Sequence, residues 1–351
     1  MPDKLDEILW RAADGEDVEP LIGQLAPREA QRSPAHCGLS GVVSARTSPF
    51  LARHGWTASI LGKELSGFRI LAEIGRGGMG AVVFEAAQQP LGDRIVAVKV
   101  LPPEVAADPR IRGRFLREAR AAGGLEHRHI CQVHAAGEHD GYLYIAMKRV
   151  HGMRLDHWVA ASATRQLAFP VREVATQIAA AAEGLVFAHA RGVVHRDIKP
   201  SNLMVENNGN LLIVDFGLAH LAGERTLTGT SEHMGTPNFM SPQQVSAHMG
   251  TVDERTDVYS LGVTLYTLLA GRPPFAASSV HGIYHAILTE EPLRLRRINE
   301  QVPRELETIV QRAIEKSLPR RYQFAADLAA DLRAFLPARR SALGHRSSPG
   351  V

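Results

Sequence analysis

The chain has 351 residues, 45% of them hydrophobic and 22% charged, with a formal net charge of +3 at pH 7. That balance fits one large two-lobed globular domain or two ordinary ones, and excludes a low-complexity chain or a strongly basic nucleic-acid binder. The two cysteines, Cys37 and Cys131, lie far apart, which excludes a disulfide framework or a cysteine metal site and fits a reducing cytoplasm.

The first residues, MPDKLDEILW, are acidic and polar and do not read as a secretion signal. Leu5, Ile8, Leu9, Ala12 and Ala13 recur at helical spacing over 3–14, and Gly15 can end that helix. Residues 15–60 carry no sustained period. Residues 1–60 are therefore expected to be a partly helical or disordered extension, with docking on the rest of the chain left open. From Phe68 the pattern changes. Strands are predicted at 68–74, 81–86 and 94–101, the last with alternating Val96, Val98 and Val100. An amphipathic helix follows at 109–123 and a further strand at 142–147. Residues 61–150 thus form a sheet-rich unit with one helix, ending in a hinge near 148–152.

Residues 151–336 read as helical, with helices at 171–190, 258–269, 279–288, 303–316 and 323–335. The segment 258–269 is apolar all round and reads as a buried helix. It is shorter than the ~18 residues of a membrane span. Residues 337–351 are rich in Arg, Ser, Pro and Gly and read as a disordered basic tail. Strands first and helices afterwards give an α+β class.

Three segments carry chemistry. Gly75, Gly77 and Gly80 give G-x-G-x-x-G, with Arg76, Gly78 and Met79 between them and Ala81 and Val82 following. Alone the motif is weak. A dinucleotide fold needs a helix after the glycines, whereas here a strand pattern follows. The glycines then sit at a hairpin tip able to fold over phosphates, with Ile74 and Val82 flanking an adenine ring. Lys99 lies within the apolar strand Val96–Val100, and Glu118 on the next helix is its candidate partner. A solvent-facing lysine and a surface salt bridge are the plain alternatives.

The segment Val194-His-Arg-Asp-Ile-Lys-Pro-Ser-Asn202 is the most specific in the chain. One short loop delivers a carboxylate, Asp197, able to orient a hydroxyl and accept its proton. It also delivers an amide, Asn202, able to ligate a metal, and a cation, Lys199. Asp215-Phe216-Gly217 follows an apolar run from Leu211 to Val214, which reads as a strand aiming Asp215 at the same place. Its carboxylate suits Mg²⁺ bridging phosphates.

Together these motifs resemble the eukaryotic-type protein kinase family over roughly residues 68–336. The strings Gly-Arg-Gly-Gly-Met-Gly and Thr-Pro-Asn-Phe-Met-Ser-Pro-Gln-Gln are similar to bacterial serine/threonine kinases in particular. The resemblance implies a bilobal fold, with a small antiparallel-sheet lobe and a larger helical lobe. It implies ATP and Mg²⁺ (or Mn²⁺) in the cleft, with Ala97, Met147, Lys148 and Val150 beside the nucleotide and Arg149 in the hinge. Lys99, Glu118, Asp197, Lys199 and Asn202 would be catalytic, with Asn202 and Asp215 on the metal. Asp257 would bond the catalytic-loop backbone. Lys199, two residues after Asp197, points to serine/threonine substrates and hence to a non-specific serine/threonine protein kinase.

The resemblance further implies regulation. Arg196 would bind a phosphate on the activation segment, where Thr228 and Thr230 are candidates for modification in trans by a second copy. Thr236 would order the substrate site. Expected partners are protein substrates and a second copy, with no nucleic acid and no membrane segment in this chain. Two departures stand out. Gln243 occupies the place of the usual Glu that pairs with a later Arg, here Arg321. Ser317-Leu318-Pro319 replaces the usual Asp-Pro before that Arg. A looser activation segment is expected. Lys148 is a third difference, since the first hinge residue is often acidic, and little effect is expected from it. The rival readings are a pseudokinase-like binding scaffold and a small-molecule phosphotransferase. The complete catalytic set opposes the first, and Lys199 with the Gly-Thr-Pro segment opposes the second.

Overall fold

A computed structural model describes residues 55–77, 80–89, 92–165, 169–216 and 237–336, apart from the side chains of Arg114, Glu118, Thr164 and Arg165. The helix expected at 3–14, the tail 337–351, Gly78, Met79, Thr228, Thr230 and Thr236 lie outside the described residues, as does the Glu118 side chain.

The small lobe is a six-stranded antiparallel sheet in the order β1-β2-β3-β4-β6-β5. Its strands are β1 (Glu64–Leu65), β2 (Phe68–Arg76), β3 (Val82–Gln88), β4 (Arg94–Leu101), β5 (Val133–His139) and β6 (Tyr142–Lys148). The central strand β4 explains why Lys99 is buried. Successive residues of a strand face opposite sides. Val96, Val98 and Val100 pack with Phe68, Ile70, Phe84 and Ala146 on one side. Ala97 and Leu101 pack on the other with Phe115 and Ala119 of helix α3 (Pro109–Gly123). Lys99 shares the second face and is only 8% exposed.

The valine face also needs a cover, because an apolar sheet face is not left to water. Helix α1 (Gly55–Ile60) contributes to that cover. Ile60 is buried in the valine cluster, and the Trp56 ring lies 6.3 Å from Phe84 and 5.7 Å from Tyr142. The last six residues of the expected extension are therefore helix docked on the sheet. Their short run hides a helical period, and only the partner face reveals it. A second short helix, α2 (Pro103–Ala106), leads into α3.

The large lobe begins with a three-stranded sheet of β7 (Gly152–Arg154), β8 (Leu203–Glu206) and β9 (Leu211–Ile213). Its helices are α4 (Leu155–Arg165), α5 (Val171–His189), α6 (Pro242–Val245), α7 (Glu254–Ala270), α8 (Val280–Thr289), α9 (Leu295–Ile298), α10 (Arg304–Ala313) and α11 (Ala325–Phe335). Helix α7 is buried on all sides, as its sequence predicts. It starts four residues earlier than the apolar run, because Asp253 caps it by accepting from the Arg255 N–H. Gly262 lets α7 approach α10 closely: a Cβ there would lie 2.6 Å from the Ala313 Cβ.

The two lobes are joined beneath the hinge by backbone bonds. Cys131 N donates to Ile213 O at 2.8 Å, and Ile213 N donates to His129 O at 2.9 Å. The chain entering the small lobe after α3 is thus paired with the strand that leads to Asp215.

Candidate active site

The catalytic loop is fixed by its backbone before any side chain acts. Asp257, fully buried on α7, accepts from His195 N at 2.8 Å and from Arg196 N at 2.7 Å. Its Oδ2 also contacts His189 Nε2 at 2.8 Å. At the far end of the loop, Val214 N donates to Asn202 O at 2.9 Å, and His195 Nε2 lies 3.0 Å from Val214 O. Both ends of the loop are therefore stitched to the segment that carries Asp215.

Arg196 and Asp215 are non-glycine residues in the left-handed region, with φ of 68° and 61°. That backbone costs on the order of 1–3 kcal/mol per residue and persists only where the surroundings impose it. One of these backbones immediately precedes Asp197 and the other carries Asp215.

Five polar groups then meet. Asn202 Nδ2 donates to Asp197 O at 2.8 Å and to Asp197 Oδ2 at 3.0 Å. Lys199 Nζ lies 3.0 Å from Asp197 Oδ2. Lys99 Nζ lies 2.8 Å from Asp215 Oδ2. The enclosing cleft walls oppose ionisation of Asp215, but Lys99, with smaller help from His195 and Lys199, outweighs them and holds its carboxyl below the usual range. Asp215 is a carboxylate across the ordinary pH range.

Gly77, at the start of the glycine segment, lies beside this group. Gly77 N donates to Ala81 O at 2.8 Å, and a Cβ at Gly77 would lie 3.6 Å from Lys99 Cε. Gly80 has φ of 72°, where a side chain would be strained. Arg76 pairs with Glu73, with Nε to Oε1 at 2.6 Å. Ala81, Val82 and Ala97 are buried, while Ile74 is 37% exposed at the lip. Gly75 opposes Val83 in the β2–β3 register.

At the back, Met147 opposes Ala97 and helps line a cavity of about 20 Å³ with Ala119, Cys131, Val133, Ile145 and Phe216. The hinge is braced on both sides. Lys148 Nζ pairs with Glu206 Oε1 at 2.7 Å, and Arg149 Nε with Glu85 Oε2 at 3.0 Å. Arg149 also donates to Val150 O at 2.7 Å.

A model of the protein kinase domain matches residues 68–332. The chain belongs to the protein kinase family. Serine/threonine-protein kinase PrkC of Bacillus subtilis is 35% identical over 282 residues, 80% of this chain and 42% of that protein. Serine/threonine-protein kinase PknB of Mycolicibacterium smegmatis is 37% identical over 265 residues, 74% of this chain and 41% of that protein. The chain thus spans less than half the length of these relatives. The crystal structure of the Mycobacterium tuberculosis PknI kinase domain superposes with a TM-score of 0.61 at 30% identity, covering 78% of this chain and 97% of that one.

Within this kinase domain, Lys99, Asp197, Lys199, Asn202 and Asp215 come together as a cluster. The expected bonds from Asp257 to the loop backbone are present, and so is the Gln243–Arg321 contact, at 3.1 Å from Arg321 Nη1 to Gln243 Oε1. Lys99 meets Asp215, and its pairing with Glu118 falls outside the described side chains. Four contributors escaped the sequence reading: Gln244, His189, Glu206 and Glu85. Only Gln244 left a signal there, since Ser241 followed by Gln at the third helical position spells a capping box.

Proposed function

We propose that this chain is a serine/threonine protein kinase, transferring the γ-phosphoryl group of ATP to Ser or Thr hydroxyls of proteins with a divalent metal, Mg²⁺ or Mn²⁺. The observation that carries this reading is the cluster in which a lysine–carboxylate pair, Lys99 and Asp215, stands with Asp197, Lys199 and Asn202 beside the start of the glycine segment. The serine/threonine assignment is supported by Lys199 and by the names of the relatives.

The residues present suit a nucleotide and a hard cation. Among the described residues no group of three or more His, Cys, Asp or Glu could hold a metal unaided. A Mg²⁺ bound with substrate phosphates needs only one or two protein oxygens. Asp215 supplies an ionised oxygen. Asn202 commits its nitrogen to Asp197, leaving its oxygen for the cation. When bound, the metal would neutralise charge between the β and γ phosphates. Lys99 would exchange its carboxylate partner for phosphate oxygens. The hinge backbone from Lys148 to Val150 would carry adenine, with Ile74, Val82, Ala97 and Met147 about it.

Asp197 would accept the hydrogen bond of the incoming hydroxyl and take its proton as the new oxygen–phosphorus bond forms. The bond from that phosphorus to the ADP oxygen breaks, and the electron pair leaves with ADP. Lys199, already on Asp197, would balance charge on the moving phosphoryl group. In the regulatory part of the reading, one or both of Thr228 and Thr230 are modified by another copy, and Arg196 receives the phosphate. The Arg196 Nε is buried without a hydrogen-bond partner among the described residues, which makes it a ready donor.

The test is transfer from labelled ATP to a generic basic protein, set against a panel of small alcohols. Asp197→Asn is expected to lower transfer by about 10³-fold while leaving the melting temperature unchanged. Equal activity of that variant would overturn the assignment, and binding of ATP without transfer by the parent chain would favour a scaffold. Mass spectrometry after incubation with ATP should find phosphate on Thr228 or Thr230.

A further inference from the structure

We propose that Gln244 is a positioning residue for the catalytic loop, its side-chain amide tying the short helix behind the substrate segment to the carbonyl immediately before Asp197. This rests on the kinase reading above. The amide works on both edges. Its Oε1 accepts from Ser241 N at 2.9 Å, and the Gln244 N–H donates to Ser241 Oγ at 3.3 Å, closing the capping box of α6. Its Nε2 donates to Arg196 O at 2.8 Å. The orientation is forced, because a backbone N–H stands on one side and a carbonyl on the other. A capping box needs only the acceptor edge. The donor edge reaches another part of the molecule.

The carbonyl that it reaches is well chosen. Arg196 O belongs to the peptide that joins Arg196 to Asp197, so the plane of that peptide sets the direction of the Asp197 side chain. Arg196 holds a left-handed backbone with φ of 68°. Asp257 Oδ1 fixes the peptide before Arg196 through its N–H at 2.7 Å. Gln244 fixes the peptide after it. Without the second hold, Asp197 N–H keeps only a 3.3 Å contact to His195 Nδ1 on that peptide. A reacting group displaced by about 1 Å can cost on the order of 10²-fold in rate.

The same short helix is tied to the body of the large lobe. Ser241 Oγ donates to Thr256 Oγ1 at 3.3 Å, and Gln243 Oε1 accepts from Arg321. The helix follows directly on the segment expected to receive the substrate residue. Gln244 therefore couples the seating of that segment to the aim of the base.

Gln244→Glu separates the two edges. Glutamate keeps an acceptor for Ser241 N–H but at neutral pH opposes only lone pairs to Arg196 O. The expected result is an unchanged or higher melting temperature, a KM for ATP within about twofold, and kcat about tenfold lower. A carboxyl facing a carbonyl has a raised pKa, and once protonated it can donate. The ratio of variant to parent kcat should therefore recover as pH falls from about 8 towards about 5.5, which a merely structural role would not produce. Gln244→Ala should lose both melting temperature and kcat.

If the parent turns over and Gln244→Glu matches its kcat at neutral pH, the inference is overturned. If the parent transfers no phosphate, the kinase reading fails, and amide hydrogen exchange still decides the contact. The peptide spanning Val193 to Leu203 should exchange faster in Gln244→Glu while that spanning Ser241 to Val245 is unchanged. Equal exchange in the first peptide overturns the inference.

Discussion

Two attachments hold the large-lobe side of the active centre, and they are built from opposite chemistry. At α7, the buried Asp257 carboxylate serves three groups, His195 N, Arg196 N and His189 Nε2, at 2.7–2.8 Å. At α6, two neutral amides do the holding. Gln244 bridges Ser241 and Arg196, and Gln243 accepts from Arg321 while donating to Met249 O at 3.1 Å. Arg321 is 1% exposed, and its acceptors among the described residues are all neutral: Gln243 Oε1 and the backbone oxygens of Glu315, Arg255 and Lys316. Burial pushes its pKa down to about 10. Asp253 and Glu315 act on it only at a distance, and a displacement of this size corresponds to a cost on the order of 3 kcal/mol. The difference teaches that hydrogen bonds can be kept when charge is removed, at the expense of strength and not of geometry.

Removing the charge at the stronger attachment should have the largest effect. Asp257→Asn replaces one acceptor oxygen with an N–H₂ facing backbone N–H donors. A loss of about 3–5 kcal/mol is expected in urea unfolding, together with a steep fall in kcat. Stability within about 0.5 kcal/mol of the parent would show that the two attachments do not differ as argued.

Adding charge at the weaker attachment should have a smaller effect of opposite sign. Gln243→Glu gives Arg321 a carboxylate but gives up the bond to Met249 O, so a net gain of about 1 kcal/mol is expected at neutral pH. The paired carboxyl would have its folded pKa depressed below its unfolded value near ~4.3. The gain is then present above the unfolded pKa and lost as pH falls through the folded one. Unfolding midpoints of parent and variant from about pH 7 to about pH 3 should converge at the acid end. A variant less stable at neutral pH would show that geometry at this site already outweighs charge.

The smallest effect is expected at the hinge, where charge is half exposed. Lys148 and Glu206 have side chains 41% and 13% exposed. Burial raises the Glu206 carboxyl, but hydrogen bonds from Lys148, Asn210 and Asn208 outweigh it and hold it below the usual range. Its contribution is present above the unfolded carboxyl pKa and fades as pH falls through the depressed folded value. A double-mutant cycle of Lys148→Met and Glu206→Gln should give a coupling of about 0.5–1 kcal/mol that shrinks in high salt. No coupling would place the hinge outside the comparison.

Much of the fold was legible because its elements follow their own periods. The strand 94–101 and the helix 109–123 appear with the bounds their patterns predict. Strand β5 was missed because Val133–His139 carries His, Ala, Gly and Glu in place of an alternating apolar pattern, and only its pairing with β6 makes it a strand. Helix α4 was missed because half of its apolar residues are alanines, Ala160, Ala161 and Ala163, which blur its apolar stripe. The looser activation segment expected from Gln243 falls mostly on residues 217–236, which lie outside those described.

The sequence by itself placed Asp197, Lys199 and Asn202 within six residues, so one loop had to deliver them together. It also carried the family, whose domain model matches residues 68–332. Only the tertiary structure decided how these groups are held. Lys99 is buried because both faces of its strand are covered, and Asp197 is aimed because Asp257 and Gln244, 60 and 47 positions further along, reach the peptides on either side of Arg196. Contacts across that distance leave no local period to read, because their partners are chosen by packing and not by neighbours in the chain.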